Sequence, residues 1–215
     1  MRIGGLFSPD GKLFQILSRF ADLVILNLLW LICCIPIVTA GASTTALYYV
    51  LLKMVKGEES YIVKSFFHSF AENFKQATLI WGMFLGVGCL LYFDFYFCSH
   101  VGGDGMKILF IPFALIGALT IMALCYVFPV LSFFNNSIKK TLKNSILMAV
   151  AYLPYTVLIV GVTFMPVILL VVIPGGMVLG MFIDVVIGVA GFGWLNACIF
   201  QKLFVRYIPK PLCLK

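Results

Sequence analysis

From Ile146 to Phe204 the chain is almost continuously apolar, a run of about 59 residues. About 20 apolar residues at 1.5 Å each cross ~30 Å of hydrocarbon, so the run is too long for one span and suits two tilted ones. Pro174-Gly175-Gly176 supplies a strong turn signal inside it. The expected spans are therefore about 146–172 and about 178–205. A soluble fold has no place for such a segment. Hydrophobic residues make up 63% of the 215 and charged residues 11%, against about 45–50% and about 25% in soluble domains. A domain of this size cannot hide that much apolar surface from water. Lipid has to be the solvent.

Four more spans precede these, at about 14–36, 40–56, 76–97 and 107–133. The first two are joined by the short turn P-I-V-T-A-G. Residues 57–75 differ from their surroundings. Phe66, Phe67, Phe70 and Phe74 recur at three- and four-residue spacing, with Lys64, His68, Glu72 and Lys75 between them. That is amphipathic spacing, too polar to span, and it predicts a helix over about 60–75 lying on the membrane surface. The third span ends in Tyr92, Phe93, Phe95, Tyr96 and Phe97, as an interfacial aromatic belt would. A polar basic loop, N-N-S-I-K-K-T-L-K-N-S, covers 135–145. The segments S-F-F-H-S-F (65–70) and S-F-F-N-N-S (132–137) echo one another before the third and fifth spans, either as related cytoplasmic elbows of a repeat or because interfacial segments share the same needs. The expected fold is all-α: a single polytopic membrane helix bundle over 1–215, with six transmembrane helices plus a cytoplasmic amphipathic helix.

The charges orient this bundle. With the N-terminus cytoplasmic, 14 of the 15 Lys and Arg residues fall on the inner side, and only Lys107 lies outside. Five or seven spans would move a basic cluster to the wrong face. The expectation is a multi-pass protein of a bacterial cell membrane with both termini cytoplasmic. The first apolar run lacks a small-x-small cleavage site and reads as a retained span. The net charge of +7 is then an orientation signal, with membrane lipids and not nucleic acid as the partner. The outer loops, about 37–39, 98–106 and 173–177, are too short for an external binding domain. No segment is long enough for a cytoplasmic ATPase or kinase domain.

Chemistry is sparse. Seven cysteines without C-x-x-C spacing suggest neither a disulfide framework nor a zinc site. His68 and His100 are isolated. No phosphate loop, nucleophile elbow or metal motif occurs, so catalytic residues, cofactors and metals are all expected to be absent and the protein is not expected to be an enzyme. The intramembrane polar candidates are Asp184, Asn27, Asn196, Thr44 and Thr45. A carboxylate within a span is costly and invites a functional reading, although Asp184 lies close enough to the outer interface to be satisfied there. Asn27 and Asn196 suit interhelical hydrogen bonds. The small, polar stretch 41–46, G-A-S-T-T-A, could pack helices closely or line a polar cavity open to the outside. Gly82, Gly86, Gly88, Gly117 and Gly188 read as packing residues. Pro112 and Pro129 interrupt the fourth span, and Pro154 and Pro166 the fifth.

Three stretches carry a family resemblance. Residues 6–50 contain N-L-L-W-L-I-C-C-I-P-I-V-T-A-G-A-S-T-T-A-L-Y. Residues 65–81 read S-F-F-H-S-F-A-E-N-F-K-Q-A-T-L-I-W, and 194–204 read W-L-N-A-C-I-F-Q-K-L-F. Together they resemble the YesL family across essentially the whole chain, with a departure at Gln201-Lys202, where the family pattern suggests a more basic pair. The resemblance implies a bacterial integral membrane protein, largely of Gram-positive organisms, encoded beside carbohydrate ABC importers, polysaccharide-degrading enzymes and two-component regulators. It supplies no catalytic residues.

The leading expectation is an accessory integral membrane subunit for carbohydrate (oligosaccharide) uptake. It would contact ABC importer permease subunits through Phe66, Phe67, Phe70 and Phe74. The alternatives are a stand-alone small-solute carrier or channel and a regulatory partner of a membrane sensor kinase.

Overall fold

The structure is a computed structural model that describes residues 12–58, 61–100, 110–172, 181 and 184–205. The described chain is helical apart from short turns. In order it forms α1 (Lys12–Cys34), a 3-10 turn (Ile37–Thr39), α2 (Ala40–Lys56), α3 (Ile62–His100), α4 (Phe110–Phe133), α5 (Ile138–Ala151), α6 (Leu153–Val172), a π-helical turn (Asp184–Gly188) and α7 (Val189–Phe204). Five helical segments are long and apolar enough to cross a membrane, and a sixth if α5 and α6 are counted as one bent span. The expected membrane helix bundle is thus present. The turn at 173–177 and Lys107 lie outside the described residues.

Two boundaries differ from those read in the sequence. The surface helix at 60–75 and the span at 76–97 are one continuous helix, α3, of 39 residues. Both patterns are helical, and no proline or cap separates them. The aromatic stripe is also used differently. Phe66 is fully buried and Phe70 packs against the same core, while Phe67 and Phe74 remain exposed. The apolar side of this stretch therefore meets the protein's own helices, chiefly α2, with which α3 shares its most extensive interface. Gly41 sets how closely they approach. A Cβ there would stand 2.7 Å from the Cβ of Trp81 and 2.8 Å from the carbonyl oxygen of Ala77.

The second difference is at 146–172, which is not a single span. α5 begins in the basic loop at Ile138 and ends at Ala151, and α6 leaves it at 105°. Tyr152 departs from helical geometry at φ −117° and ψ 45°. Pro154 follows two residues later, lacks an N–H and would crowd the preceding turn of a continued helix. The elbow is tied from inside. The buried Thr156 hydroxyl donates to the Ala149 carbonyl at 2.7 Å and lies 2.8 Å from the Tyr126 hydroxyl. The two S-F-F echoes are consequently not equivalent: one lies within α3, the other runs from the end of α4 to the start of α5.

The core lies where α2, the inner half of α4 and α7 meet. Tyr126, Phe200 and Phe204 are fully buried there. Tyr126 meets Phe200 edge-on at 5.1 Å, and Phe204 packs on both Phe133 and Phe134. The lysines at the end of α2 cover aromatic rings with their charged heads, Lys53 over Tyr49 and Lys56 over Phe133.

Candidate functional site

A cavity of about 300 Å³ sits among α1, α2, α3, α4, α6 and α7. Six separate helices contribute, α1 and α3 with one tryptophan each and the others with three or four residues. Trp30 comes from α1, Thr44 and Tyr48 from α2, Trp81 from α3, Phe128 from α4, Thr163 from α6, and Phe192 and Asn196 from α7. Pro166 also borders it, and Gly193 removes a side chain from its wall. The lining is mostly aromatic and aliphatic, with a few hydroxyls and one amide. That division is usual for a small-molecule site between bundled helices, where apolar walls supply contact and a few polar atoms fix orientation.

Hydrogen bonding concentrates on two of these groups. The Asn196 amide donates to the Thr163 hydroxyl at 2.9 Å. The Trp30 indole donates to the Thr44 hydroxyl at 3.2 Å, and that hydroxyl donates in turn to the Ala40 carbonyl at 2.8 Å. The Asn196 side-chain oxygen has no hydrogen-bond partner although the residue is only 1% exposed. The Tyr48 hydroxyl faces the same side chain. An acceptor buried without a donor costs about 1–3 kcal/mol, a cost that a small rotation of the amide toward a donor in the cavity would relieve.

The polar residues singled out in the sequence divide between places. Asn196 and Thr44 face the cavity. Thr45 is buried beside it and donates to the Gly41 carbonyl of its own helix at 2.9 Å. Gly41 permits the close packing that is one of the two alternatives for the G-A-S-T-T-A stretch, while the cavity that Thr44 lines is mainly apolar and differs from the polar one of the other alternative. Asn27 and Asp184 meet each other elsewhere. The fully buried Asn27 amide donates to the Asp184 carbonyl at 3.0 Å and the Val185 carbonyl at 2.7 Å, while its oxygen accepts from the Ala190 N–H at 3.0 Å. Asn27 therefore clamps the π-helical turn, whose wider winding leaves backbone groups without their regular helical partners. Among the described residues the Asp184 carboxylate forms no ion pair; its side chain folds over Gly188 instead. Phe66, Phe67, Phe70 and Phe74 touch one another along α3, edge-on, stacked and tilted in turn, away from the cavity.

Sequence reasoning missed Trp30, Tyr48, Trp81 and Thr163 as cavity residues. No signal marked them: Trp30 lies about one turn from the end of α1, where an interfacial tryptophan is ordinary. The glycines also divide. Gly41 and Gly193 are contact positions, whereas a Cβ at Gly82, Gly86 or Gly88 would meet no neighbouring atom within 4 Å. The sequence suggests packing at these three, but among the described residues nothing lies within 4 Å of a side chain placed there.

Residues 23–95 match the family described as "Protein of unknown function, DUF624". The segment takes in the second half of α1, all of α2 and most of α3, hence Trp30, Thr44, Tyr48 and Trp81 of the cavity wall. No solved structure matches the chain. The chain is 29% identical over 176 residues to the uncharacterized protein YteU of Bacillus subtilis (strain 168), covering 77% of this chain and 78% of that protein.

Proposed function

We propose that this protein is a bacterial membrane protein of the YesL type that binds a small, largely apolar molecule in the central cavity. The ligand would carry at least one hydrogen-bond donor. The observation that carries this reading is the buried, unpartnered oxygen of Asn196 at the wall of an aromatic cavity. The cavity suits a sugar poorly. A hexose brings several hydroxyls that would each need a partner, and the wall offers few polar groups beyond Asn196, Thr163, Thr44 and Tyr48. An aromatic or aliphatic alcohol or amine fits better.

Two of the three tryptophans, Trp30 and Trp81, line the cavity, so fluorescence quenching can test this. In purified protein, 4-iodophenol should quench saturably, and about five- to tenfold more tightly than iodobenzene, which lacks the donor. Asn196→Leu should erase that difference. Quenching that rises linearly with both compounds would sink the reading.

A second reading keeps the accessory role in carbohydrate uptake. It is favoured by the outer half of α3, where Gly82, Gly86, Leu90 and Phe93 form an exposed flank. In this reading the sugar passes through an importer permease, and this chain docks beside it. Tagged protein from native membranes, purified in mild detergent with the sugar present, should then retain permease subunits. Repeated absence of any permease would count decisively against it. For both readings we place the termini in the cytoplasm on the charge pattern.

A further inference from the structure

We propose that α5 is an elbow that binds anionic phospholipid headgroups. The 105° bend carries the first observation. α6 has 20 residues and a length of about 30 Å, enough to cross the hydrocarbon. A helix set at 105° to it lies close to the membrane plane. The second observation is the pattern of exposure along α5. At 100° per residue, Lys139, Lys140, Lys143, Ile146, Leu147 and Val150 fall within about 120° of arc, and all six are exposed. Thr141, Ser145, Met148 and Ala149 occupy the opposite, buried face. The exposed stripe is basic in its first half and apolar in its second. Lysine heads at headgroup level with Ile146, Leu147 and Val150 among the acyl chains would satisfy both halves.

The charge has no internal counterpart. No Asp or Glu occurs between Asp104 and Asp184, and among the described residues none of the three lysines forms an ion pair. Lysines at the start of a helix also oppose its dipole, and α5 has no acidic residue in its first turn. A local arrangement that works against helix stability is expected where a ligand repays it. A notch of about 190 Å³ beside the stripe, bounded by Phe134, Asn144, Leu147 and Met148, offers a seat of mixed polarity for the glycerol region.

The test uses the full-length protein reconstituted in phosphatidylcholine vesicles. Spin-labelled phosphatidylglycerol should associate at least about threefold more strongly than spin-labelled phosphatidylcholine. K139Q/K140Q/K143Q should bring the ratio close to one, and K139R/K140R/K143R should retain it. A control, K64Q/K75Q, should leave most of the preference. Full preference in the triple Gln variant overturns the proposal. So does an equal loss in the control, which would mean bulk charge and not α5. If 50 mM inorganic phosphate abolishes the preference while matched chloride does not, the stripe is a free-anion site and the lipid assignment fails.

Discussion

At the scale of single residues, two buried positions show opposite uses of small polar chemistry. Asn27 satisfies three backbone groups of a neighbouring segment with one amide. Asn27→Leu keeps the forked shape and removes all three bonds, so two carbonyls and one N–H lose their partner in an apolar setting. At roughly 0.5–1.5 kcal/mol per bond the loss is about 2–4 kcal/mol. A thermal-unfolding scan in detergent should show a large fall in midpoint for Asn27→Leu, and an unchanged midpoint would show that the π-helical turn does not depend on the clamp. Gly41 works by absence. Gly41→Ala must push apart α2 and α3, because the added carbon meets the Ala77 carbonyl and the Trp81 Cβ, neither of which can rotate away. The expected cost is about 1–3 kcal/mol, whereas Gly86→Ala, where no atom lies within 4 Å, should cost nothing by the same scan. Asn27 and Gly41 lay in stretches whose chemistry was readable: an amide within a span, and a run of small residues after a turn. Their partners were not readable, because which helix faces an amide 157 residues away depends on the packing of the whole bundle.

At the scale of helices, the sequence located the apolar segments well and their breaks poorly. Hydropathy registers how much of a helix can enter lipid, but not where it bends. The polar face at 64–75 looked like a separate surface helix because lysine and glutamate are costly in hydrocarbon. The actual α3 continues through, since α2 covers its apolar side. The helix that breaks sharply from its neighbour is α5, whose apolar second half merged with α6 in the hydropathy pattern. The elbow between them separates two possible causes. If Pro154 alone made the bend, Pro154→Ala would straighten it. The buried hydrogen bonds of Thr156 to Ala149 and Tyr126 imply that the bend is held by tertiary contact. Thr156→Val, nearly the same shape, should therefore destabilise by about 1–3 kcal/mol. Pro154→Ala should change stability by less than about 1 kcal/mol, because a first-turn proline replaces no helical hydrogen bond. Chemical denaturation of the two variants side by side checks the ranking, and the reverse order would assign the bend to the proline.

At the scale of the whole molecule, α3 acts as a ruler. Its 39 residues make about 58 Å of helix, well beyond the ~30 Å hydrocarbon core. Tilted by about 40°, it would project ~45 Å, which reaches from headgroup to headgroup. The turn between α1 and α2 does not sit at the end of this ruler. The Trp81 indole donates to the Ile37 carbonyl at 2.8 Å, and Trp81 lies near the middle of α3. Charge and hydropathy had placed that turn on the same outer face as the loop after α3. The register along α3 instead puts it some 18 residues, roughly 27 Å of helix, short of Ser99. Water cannot fill the difference. The outer half of α3 exposes Leu90, Tyr92, Phe93 and Tyr96, while the turn exposes Ile35, Ile37 and Val38. Both surfaces call for lipid, so the tip of the α1–α2 hairpin should end inside the bilayer. A hairpin entering and leaving from the cytoplasmic side keeps the charge asymmetry intact, because it alters no sidedness downstream. Spin labels at Val38→Cys and Ser99→Cys, in a variant whose native cysteines are replaced, measure this directly in vesicles. The Val38 label should be relaxed mainly by dissolved oxygen, which concentrates in hydrocarbon, and the Ser99 label mainly by a water-soluble nickel chelate. Equal access of the chelate to both labels would return the turn to the outer surface. It would also require the outer half of α3 to lie nearly flat along the surface, so that Trp81 and Ser99 sit at the same depth.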